Sequence, residues 1–406
     1  MQDIQSQSIR FIVRPGGPVR GVFQVPGDKS ISHRAVMLGA LADGRTTVTG
    51  FLESEDVLAT ARIFSMMGVD IQRPAPQTVV IQGVGKYGLK APDSALDCGN
   101  SGTTMRLLAG LLAGQPFETR LIGDASLMKR PMRRVAEPLN RLGASVSTSD
   151  DGRPPLTIRP VDHLDGVEFD LTVPSAQLKS AVLLAGLYAN GITRVTQHHI
   201  TRDHMERMFQ AFSCRIERVN RTVSISGNST LTATDIAVPG DISSAAFLLV
   251  AATIAPNSEI LLQDVGVNAT RTGIIDILNA MGADITMENH RMIGGEPIAN
   301  LRVCSSELTG IVIPEHWISL AIDEFPAIFI AAACAKGETV LRHAAELRVK
   351  ESDRIDVMAE GLRTLGVEVE TFDDGIRIVG QPRWGGGTIF SHHDHRVAMA
   401  FTVASL

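Results

Sequence analysis

The sequence has 406 residues, 44% of them apolar and 20% charged, a composition typical of a globular protein rather than a disordered or membrane-embedded chain. The net charge of −6 gives no overall positive field for nucleic acid or an anionic membrane, so anions must be bound by local basic clusters. The length exceeds one ordinary hydrophobic core and predicts two domains of roughly 200 residues each.

The cysteines and the apolar runs indicate a cytoplasmic protein. The apolar runs at 245–256 and 325–335 are shorter than the ~18 residues that a membrane span needs. The four cysteines are widely spaced and form no CxxC pair, which predicts reduced thiols. They are Cys98, Cys214, Cys304 and Cys334. We expect neither a membrane nor a nucleic-acid partner.

One order of elements recurs six times along the chain. A polar loop leads into an apolar helix rich in Ala and Leu, and a short strand follows. The loops are 25–30, 96–102, 173–177, 238–241, 321–326 and 391–396. Five units continue with a second, amphipathic helix, predicted at 57–67, 134–142, 205–212, 272–281 and 355–365. The sixth unit lacks this second half and is expected to be incomplete. The recurrence predicts a duplicated α/β module, with three units in each domain.

Two Pro-Gly pairs are the best candidates for crossings between domains. They are Pro26-Gly27 and Pro239-Gly240. The segment before Pro26 is expected to pair with the C-terminal half. This arrangement predicts an inserted domain, 27–237, and a discontinuous domain formed by 1–26 plus 238–406.

The loop 97–106 has the composition of an anion site. Gly102 has no Cβ and allows a ligand close to the backbone, while Asn100 and Ser101 are preferred at helix starts. The free N–H groups and dipole of a helix start attract anions, and Arg106 could add a positive charge one turn later. An ordinary helix cap is the alternative interpretation.

Basic residues recur at similar places in other units. Lys29 lies in the first loop and Arg34 lies one turn into the helix after it. Arg130 precedes Pro131 and is therefore biased to extended backbone, whereas Arg133 and Arg134 fit a salt-bridged helix face. Burial and neighbouring charges can shift pKa values, which makes Lys350 and Glu351 candidate proton carriers in the charged run 348–354.

Two other motifs are interpreted as structural. The run 83–88 matches a dinucleotide fingerprint, but no helix is predicted after it, so it is read as a turn. His392, His393 and His395 lie too close in sequence to point at one ion, and they favour a charged loop over a metal site.

Nine strings stand in the order that one family shows: PGDKSISHRA, GNSGTTMR, KRPM, PSAQLKSA, TRDH, PGDISSAAF, DEFP, RVKESDR and DHRVAM. From about Pro26 onward the chain resembles the EPSP synthase (3-phosphoshikimate 1-carboxyvinyltransferase) family of enolpyruvyl transferases. The resemblance implies two inverse α/β domains, each of three repeated βαβαββ-like units, with helices inside, sheets outside and a substrate cleft between the domains.

The resemblance also implies an activity and a set of site residues. The enolpyruvyl group of phosphoenolpyruvate would pass to the 5-hydroxyl of shikimate 3-phosphate through a tetrahedral intermediate, in a monomer without metal or cofactor. The implied phosphoenolpyruvate site is Lys29, Gly102, Arg130, Gln177, Arg354 and Arg396. The implied shikimate 3-phosphate site is Lys29, Ser30, Arg34, Ser175, Ala176, Gln177, Arg202, Asp323 and Lys350. The implied catalytic residues are Asp323, Glu351 and Lys350.

Inhibition and domain closure are two further expectations. Gly102 matches the glyphosate-sensitive branch of the family, whereas Ala176 and Arg202 match the branch with tolerant members, and we expect a glyphosate target. Cations from the two domains should repel one another across the empty cleft, so the domains should close on their anionic ligands. These cations are Lys29, Arg34 and Arg130 on one side and Lys350, Arg354 and Arg396 on the other.

Two other functions compete with this interpretation. A UDP-N-acetylglucosamine enolpyruvyl transferase would share the fold but would need a reactive loop cysteine, for which Cys98 is the only candidate. A non-catalytic phosphometabolite-binding protein would keep the cleft without turnover. Thiol labelling distinguishes the first alternative and a phosphate-release assay distinguishes the second.

Overall fold

The computed structural model of the chain, which describes residues 10–406, repeats one order of elements. A buried helix is followed by a strand, a second helix and a hairpin of two strands. After strand β1 (Arg20–Gln24), the first unit contains α1 (Lys29–Leu41), β2 (Asp43–Thr49), α2 (Glu55–Met66), β3 (Asp70–Ala75) and β4 (Thr78–Val84). The second contains β5 (Leu96–Asp97), α3 (Gly102–Leu112), β6 (Thr119–Ile122), α4 (Arg133–Arg141), β7 (Ser145–Ser147) and β8 (Leu156–Arg159).

The third and fourth units follow the same order. The third contains β9 (Leu164–Asp165), β10 (Glu168–Leu171), α5 (Ala176–Gly186), β11 (Ala189–Asn190), β12 (Ile192–Gln197), α6 (His204–Ala211), β13 (Ile216–Val219) and β14 (Thr222–Ser226). The fourth contains β15 (Ile236–Ala237), α7 (Ile242–Ile254), β16 (Glu259–Gly266), α8 (Gly273–Ala280), β17 (Asp284–Ile293) and β18 (Glu296–Cys304).

The last two units complete the described chain. The fifth contains a short helix α9 (Glu315–Ile318), then α10 (Phe325–Cys334), β19 (Glu338–Leu341), α11 (Arg354–Thr364), β20 (Glu368–Phe372) and β21 (Gly375–Val379). The sixth contributes α12 (His395–Val403). The five predicted amphipathic helices differ from the observed helices by no more than two residues at either end.

Each complete unit forms its own sheet. The orders are β15-β2-β4-β3, β5-β6-β8-β7, β10-β12-β14-β13, β1-β16-β18-β17 and β19-β21-β20. In the four-stranded sheets the first strand is parallel to its neighbour and the other pairs are antiparallel. Strands β9 and β11 form an additional parallel pair.

Two strands pair with the sheet of a distant unit. Strand β1 pairs with β16 in the fourth unit, and β15 pairs with β2 in the first. The chain passes from one half of the molecule to the other twice, at Pro26-Gly27 and at Pro239-Gly240, and these two segments lie side by side. Asp28 N–H donates to Pro239 O at 2.8 Å, and Asp241 N–H donates to Pro26 O at 2.8 Å. The backbone is crowded at Gly27, where an added Cβ would lie 3.2 Å from Cγ1 of Val238, next to the other segment, and 1.9 Å from the carbonyl oxygen of Gly50.

The central helices form the core, and the sheets cover them. Helices α1, α3 and α5 pack together in the first half, and α7, α10 and α12 pack together in the second. These helices are apolar around much of their circumference, as expected of helices enclosed on all sides. The buried apolar residues form two clusters, one within 31–238 and the other within 242–403. The predicted class, an α/β fold of repeated units with helices inside, is confirmed.

No helix within residues 10–406 combines the length and the apolar character that crossing a membrane requires.

Candidate active site

The N-terminal ends of the central helices converge on one cavity of about 290 Å³ between the two halves of the chain. At several of these N termini, the side chain of the residue that precedes the helix caps its first turn. Ser101 caps α3 by accepting the Thr104 N–H, and Ser175 caps α5 by accepting the Leu178 N–H. Because helix N termini carry free N–H groups and a positive dipole end, the convergence produces a site suited to anions.

The structure brings nearly all the predicted site residues to this cavity. Its walls include Lys29, Ser30, Gly102, Arg130, Ser175, Ala176, Gln177, Arg202, Asp323, Lys350, Glu351, Arg354 and Arg396. They come from loops separated by as much as the length of the chain. The predicted pattern of loops before helices therefore corresponds to one place in the fold.

Arg34 is the predicted residue that does not line the cavity. Its guanidinium lies behind Ser30, donating from Nη1 to Ser30 O at 2.8 Å and from Nη2 to Ser180 Oγ at 2.9 Å. Burial is the main reason that the pKa of Arg34 falls to about 10. In this structure Arg34 supports the first loop from the protein interior, and direct contact between Arg34 and a ligand stays a prediction.

Asp323 is surrounded by three cations. Nη2 of Arg202 lies 2.5 Å from Oδ2, and Nη1 of Arg354 lies 3.4 Å from Oδ1. Nζ of Lys350 lies 3.6 Å from the same Oδ1. Burial alone would raise the pKa of Asp323, but the charges of Arg202 and Lys350 outweigh burial and hold the pKa well below its usual range. Asp323 is therefore ionised.

Glu351 occupies a comparable position. Its Oε2 accepts a hydrogen bond from Nη2 of Arg354 at 2.6 Å, and its Oε1 lies 3.4 Å from Nη1 of Arg130. Burial would raise the pKa of Glu351, yet the charges of Arg354 and Arg130 lower it far below the ordinary value. Two ionised carboxylates thus lie in one cavity, each held by cations.

The remaining cations are positioned by the chain itself. Arg354 is 1% exposed and donates from Nε to Asp394 Oδ2 at 2.9 Å, which fixes its guanidinium. Arg396 donates from Nη1 to the carbonyl oxygen of Asp323 at 2.9 Å. Lys29 forms an ion pair with Asp56. Contacts with other protein groups hold these three cations in place.

Gln177 and Gly102 both lie next to the guanidinium group of Arg106. Nη1 of Arg106 donates to Oε1 of Gln177 at 2.5 Å, and Nε2 of Gln177 donates to Thr103 Oγ1 at 3.0 Å. Burial, followed by the charge of Arg134, lowers the pKa of Arg106 to about 9. A Cβ at Gly102 would lie 3.0 Å from Nη1 of Arg106 and 3.2 Å from Nη1 of Arg130.

Arg134 and Arg271 line the cavity but were not predicted as site residues. Arg134 does form a salt bridge, as expected of a helix face, but its partner is Glu346 across the cavity, at 2.9 and 3.1 Å. Arg271 contacts both crossings, donating to Asp28 Oδ2 at 2.9 Å and to Asp241 Oδ1 at 3.1 Å.

The repeat itself contained the signal for Arg271. In the second to fifth units, a cation lies in the loop between the strand that follows the central helix and the second helix. These residues are Arg130, Arg202, Arg271 and Lys350. Aligning the units on the start of the second helix would have placed Arg271 with the other three cavity cations.

Two predictions of structural roles concern Cys98 and the histidine loop. Cys98 is fully buried, and burial together with the neighbouring charge of Asp97 raises the pKa of its thiol far above the usual value. A neutral buried thiol is a poor nucleophile. Within residues 10–406, no three His, Cys, Asp or Glu side chains form a group that could hold a metal ion.

The fold belongs to a class of protein structures that includes an enolpyruvyl transferase and an EPSP synthase. The enolpyruvyl transferase NikO from Streptomyces tendae superposes with a TM-score of 0.75 at 16% identity, covering 97% of this chain and 89% of the other, which shows the shared fold. EPSP synthase from Acinetobacter baumannii superposes with a TM-score of 0.85 at 53% identity, covering 97% of this chain and 91% of the other.

The sequence identifies the family within that class. The family model described as EPSP synthase (3-phosphoshikimate 1-carboxyvinyltransferase) matches residues 13–406. The 3-phosphoshikimate 1-carboxyvinyltransferase of Alkalilimnicola ehrlichii is 60% identical over 98% of this chain and 89% of its own length. The 3-phosphoshikimate 1-carboxyvinyltransferase of Halorhodospira halophila is 61% identical over 97% of this chain and 89% of its own length. The chain belongs to the EPSP synthase family.

Proposed function

We propose that this protein transfers the enolpyruvyl group of phosphoenolpyruvate to the 5-hydroxyl of shikimate 3-phosphate, releasing phosphate and 5-enolpyruvylshikimate 3-phosphate. The observation that carries the proposal is the anion-binding cavity, in which two ionised carboxylates, Asp323 and Glu351, are held among cations from both halves. Membership of the EPSP synthase family supports the same reaction.

The proposed division of the cavity follows the two substrates. Phosphoenolpyruvate would be bound by Lys29, Gly102, Arg130, Gln177, Arg354 and Arg396. Shikimate 3-phosphate would be bound by Lys29, Ser30, Arg34, Ser175, Ala176, Gln177, Arg202, Asp323 and Lys350. Two multiply charged anions side by side require several cations, and an arginine can grip a phosphate or carboxylate with two parallel hydrogen bonds.

Asp323, Glu351 and Lys350 would handle the protons. In the addition step the 5-hydroxyl loses a proton as its oxygen bonds to C2 of phosphoenolpyruvate, and the methylene carbon gains a proton. In the elimination step the resulting methyl group loses a proton as the C–O bond to phosphate breaks. The carboxylates are ionised in the free protein and can accept a proton, while the Lys350 ammonium 3.6 Å from Asp323 can return one.

Domain organisation and location complete the proposal. The inserted domain would be 27–237 and the discontinuous domain 1–26 plus 238–406, which the two apolar clusters and the exchanged strands β1 and β15 support within the described residues. The protein would act as a cytoplasmic monomer without a nucleic-acid partner, and it would be a glyphosate target.

A coupled phosphate-release assay with both substrates tests the reaction. The proposal requires phosphate only when both substrates are present, and Lys350→Met should mainly lower kcat, with a smaller rise in the Michaelis constant for shikimate 3-phosphate. Release of phosphate without shikimate 3-phosphate, or no release at all, would refute it. Turnover with UDP-N-acetylglucosamine would instead favour the related transferase, although the buried Cys98 thiol opposes that function; phosphoenolpyruvate should not change thiol labelling at this residue.

A further inference from the structure

Four buried hydroxyl and imidazole groups form a continuous hydrogen-bonded chain behind the cavity. His33 Nδ1 in α1 lies 2.8 Å from Thr60 Oγ1 in α2, and Thr60 Oγ1 lies 2.7 Å from Thr104 Oγ1 in α3. Thr104 Oγ1 lies 2.7 Å from Oγ of Ser101, the residue that caps α3. None of the four is more than 1% exposed. The chain therefore links three helices and ends at Ser101.

The surroundings of His33 determine the direction of donation. Its Nε2 is buried and has no hydrogen-bond partner within residues 10–406. A hydrogen on Nε2 would be an orphaned buried donor, which is rarer in proteins than an under-satisfied acceptor. Burial, followed by the charges of Lys29 and Arg34, lowers the pKa of His33 well below its ordinary value, so the ring is neutral. We therefore assign the single hydrogen to Nδ1, which donates it to Thr60 Oγ1.

The direction then passes along the chain. Because Thr60 accepts from His33, its own hydroxyl hydrogen can go to Thr104 Oγ1 at 2.7 Å or to Asp56 O at 3.5 Å. The much shorter contact favours Thr104, and Thr104 in turn donates to Ser101 Oγ at 2.7 Å. Ser101 Oγ also accepts the backbone N–H of Thr104 at 3.1 Å. A hydroxyl oxygen accepts two hydrogen bonds, so both acceptor positions of Ser101 are filled and only its hydrogen remains.

The hydrogen of Ser101 has no acceptor among the hydrogen bonds of residues 10–406, and Ser101 lines the cavity directly before Gly102. The neighbouring wall is cationic, since the guanidinium groups of Arg106 and Arg130 border Gly102. A hydroxyl donor among cations is suited to an oxygen of a phosphate or a carboxylate, with which it forms a charge-assisted hydrogen bond.

We propose that Ser101 is a further ligand-binding residue, which donates a hydrogen bond to the anion bound beside Gly102. His33, Thr60 and Thr104 are positioning residues that orient this hydroxyl. The identity of the anion as phosphoenolpyruvate rests on the proposed function, whereas the direction of donation rests on the buried chain alone.

Ser101→Ala tests the binding role. The expected result is a rise of about tenfold in the Michaelis constant for phosphoenolpyruvate, in the range for a hydrogen bond to a charged group, with the constant for shikimate 3-phosphate nearly unchanged. A general loosening of α3 after loss of its cap would raise both constants together. An unchanged constant for phosphoenolpyruvate, or an equal rise in both, would overturn the proposal.

Thr60 variants test the orientation. Thr60→Val removes the donor to Thr104, so Ser101 can turn and donate to Thr104 instead of the ligand; a smaller rise in the phosphoenolpyruvate constant is expected, and Thr60→Ser should restore the wild-type value. Thr46→Val is the matched control, because Thr46 is equally buried but its hydroxyl has no partner within residues 10–406. Equal constants for Thr60→Val and Thr46→Val would contradict the orienting role.

Nitrogen-15 NMR of the imidazole provides a readout independent of turnover. The His33 signal, assigned by its loss in His33→Gln, should show a neutral ring with the hydrogen on Nδ1; a hydrogen on Nε2 would overturn the direction of donation. If the wild-type protein showed no turnover, the proposed function would fail. Calorimetric titration of phosphoenolpyruvate into wild type and Ser101→Ala would then decide the role of Ser101 by itself, with weaker binding to the variant expected.

Discussion

Arg130 and Glu351 face each other across the cavity, with Nη1 of the arginine 3.4 Å from Oε1 of the glutamate. Arg134 with Glu346 and Arg202 with Asp323 repeat the relationship. In all three pairs the first half of the chain supplies the arginine and the second half supplies the carboxylate. The expectation that cations repel one another across the empty cleft does not describe this structure, because carboxylates lie between them. Anionic ligands must therefore compete with these carboxylates for the arginines.

The Arg134–Glu346 pair should help to hold the halves together without ligand. Neither residue belongs to the proposed substrate sites, so its loss should alter closure more than ligand contacts. Glu346→Gln removes the charge but keeps the shape, and the ligand-free variant should show a larger radius of gyration than wild type in small-angle scattering. Glu259→Gln is the control, because Glu259 pairs with Arg302 inside one sheet. A radius equal to that of wild type would contradict the prediction.

Arg130→Ala should specifically weaken the binding of phosphoenolpyruvate. Arg130 lies 8% exposed at the cavity wall, and it would hold an anion that is charged before the reaction begins. Losing a hydrogen bond to a charged group costs about 1.5–3 kcal/mol, so the Michaelis constant should rise roughly tenfold to hundredfold. Arg133→Ala is the matched control, because Arg133 belongs to the same basic run but is exposed and contacts Asp150 O. Similar constants for the two variants would count against the assignment.

The loss of folding stability at acid pH should depend on Glu351. Its pKa in the folded protein lies far below the ordinary value, so its stabilising contribution is present above the unfolded pKa of about 4.3 and is lost as the pH falls further. Between pH 5 and pH 3 the free energy of unfolding of wild type should fall more steeply than that of Glu351→Gln, by up to ~1.4 kcal/mol per pH unit.

Urea unfolding at several pH values measures the two slopes. Glu55→Gln is the control, since the Glu55 side chain is 89% exposed, and this variant should follow wild type. Parallel curves for wild type and Glu351→Gln would show that Arg354 and Arg130 do not hold the carboxylate as the structure indicates.

The repeated units, the helices and most cavity residues could be predicted from the sequence because each depends on neighbours in the chain. A loop before an apolar helix becomes part of the cavity wherever it occurs, since all the central helices point their N termini to one place. Gly102, Gln177 and Arg396, which lie in or next to such loops and which the family resemblance implies as site residues, all line the cavity. Arg34 follows such a loop too, but its side chain turns inward to Ser180, 146 residues away.

The partners across the cavity could not be predicted in the same way. Arg130 and Glu351 are 221 residues apart, and Arg271 and Asp28 are 243 apart. Nothing local in the sequence specifies which carboxylate meets which arginine, because that depends on how the halves pack. The depressed pKa values of Asp323 and Glu351 follow from these pairings, so they too required the structure.

Gly102→Ala should weaken the binding of glyphosate more than the binding of phosphoenolpyruvate. The added methyl would lie 3.0 Å from Nη1 of Arg106 and 3.2 Å from Nη1 of Arg130, so at least one guanidinium must move. Glyphosate presents a phosphonate and a carboxylate on a slightly longer chain than phosphoenolpyruvate and should have less room to adjust. Overpacking by a methyl typically costs ~1–3 kcal/mol, which corresponds to about a tenfold to hundredfold loss of binding.

We therefore expect the wild-type protein to be sensitive to glyphosate, and Gly102→Ala to raise the inhibition constant more than the Michaelis constant for phosphoenolpyruvate. Both constants should be measured on wild type and on the variant under the same conditions. Gly99→Ala is a control for a methyl added to the same loop, because a Cβ there would meet nothing within 4 Å, although the backbone φ of +56° disfavours alanine. Equal shifts in the two constants, or a wild type already resistant, would refute the steric explanation, since charge alone cannot separate two ligands that meet the same arginines.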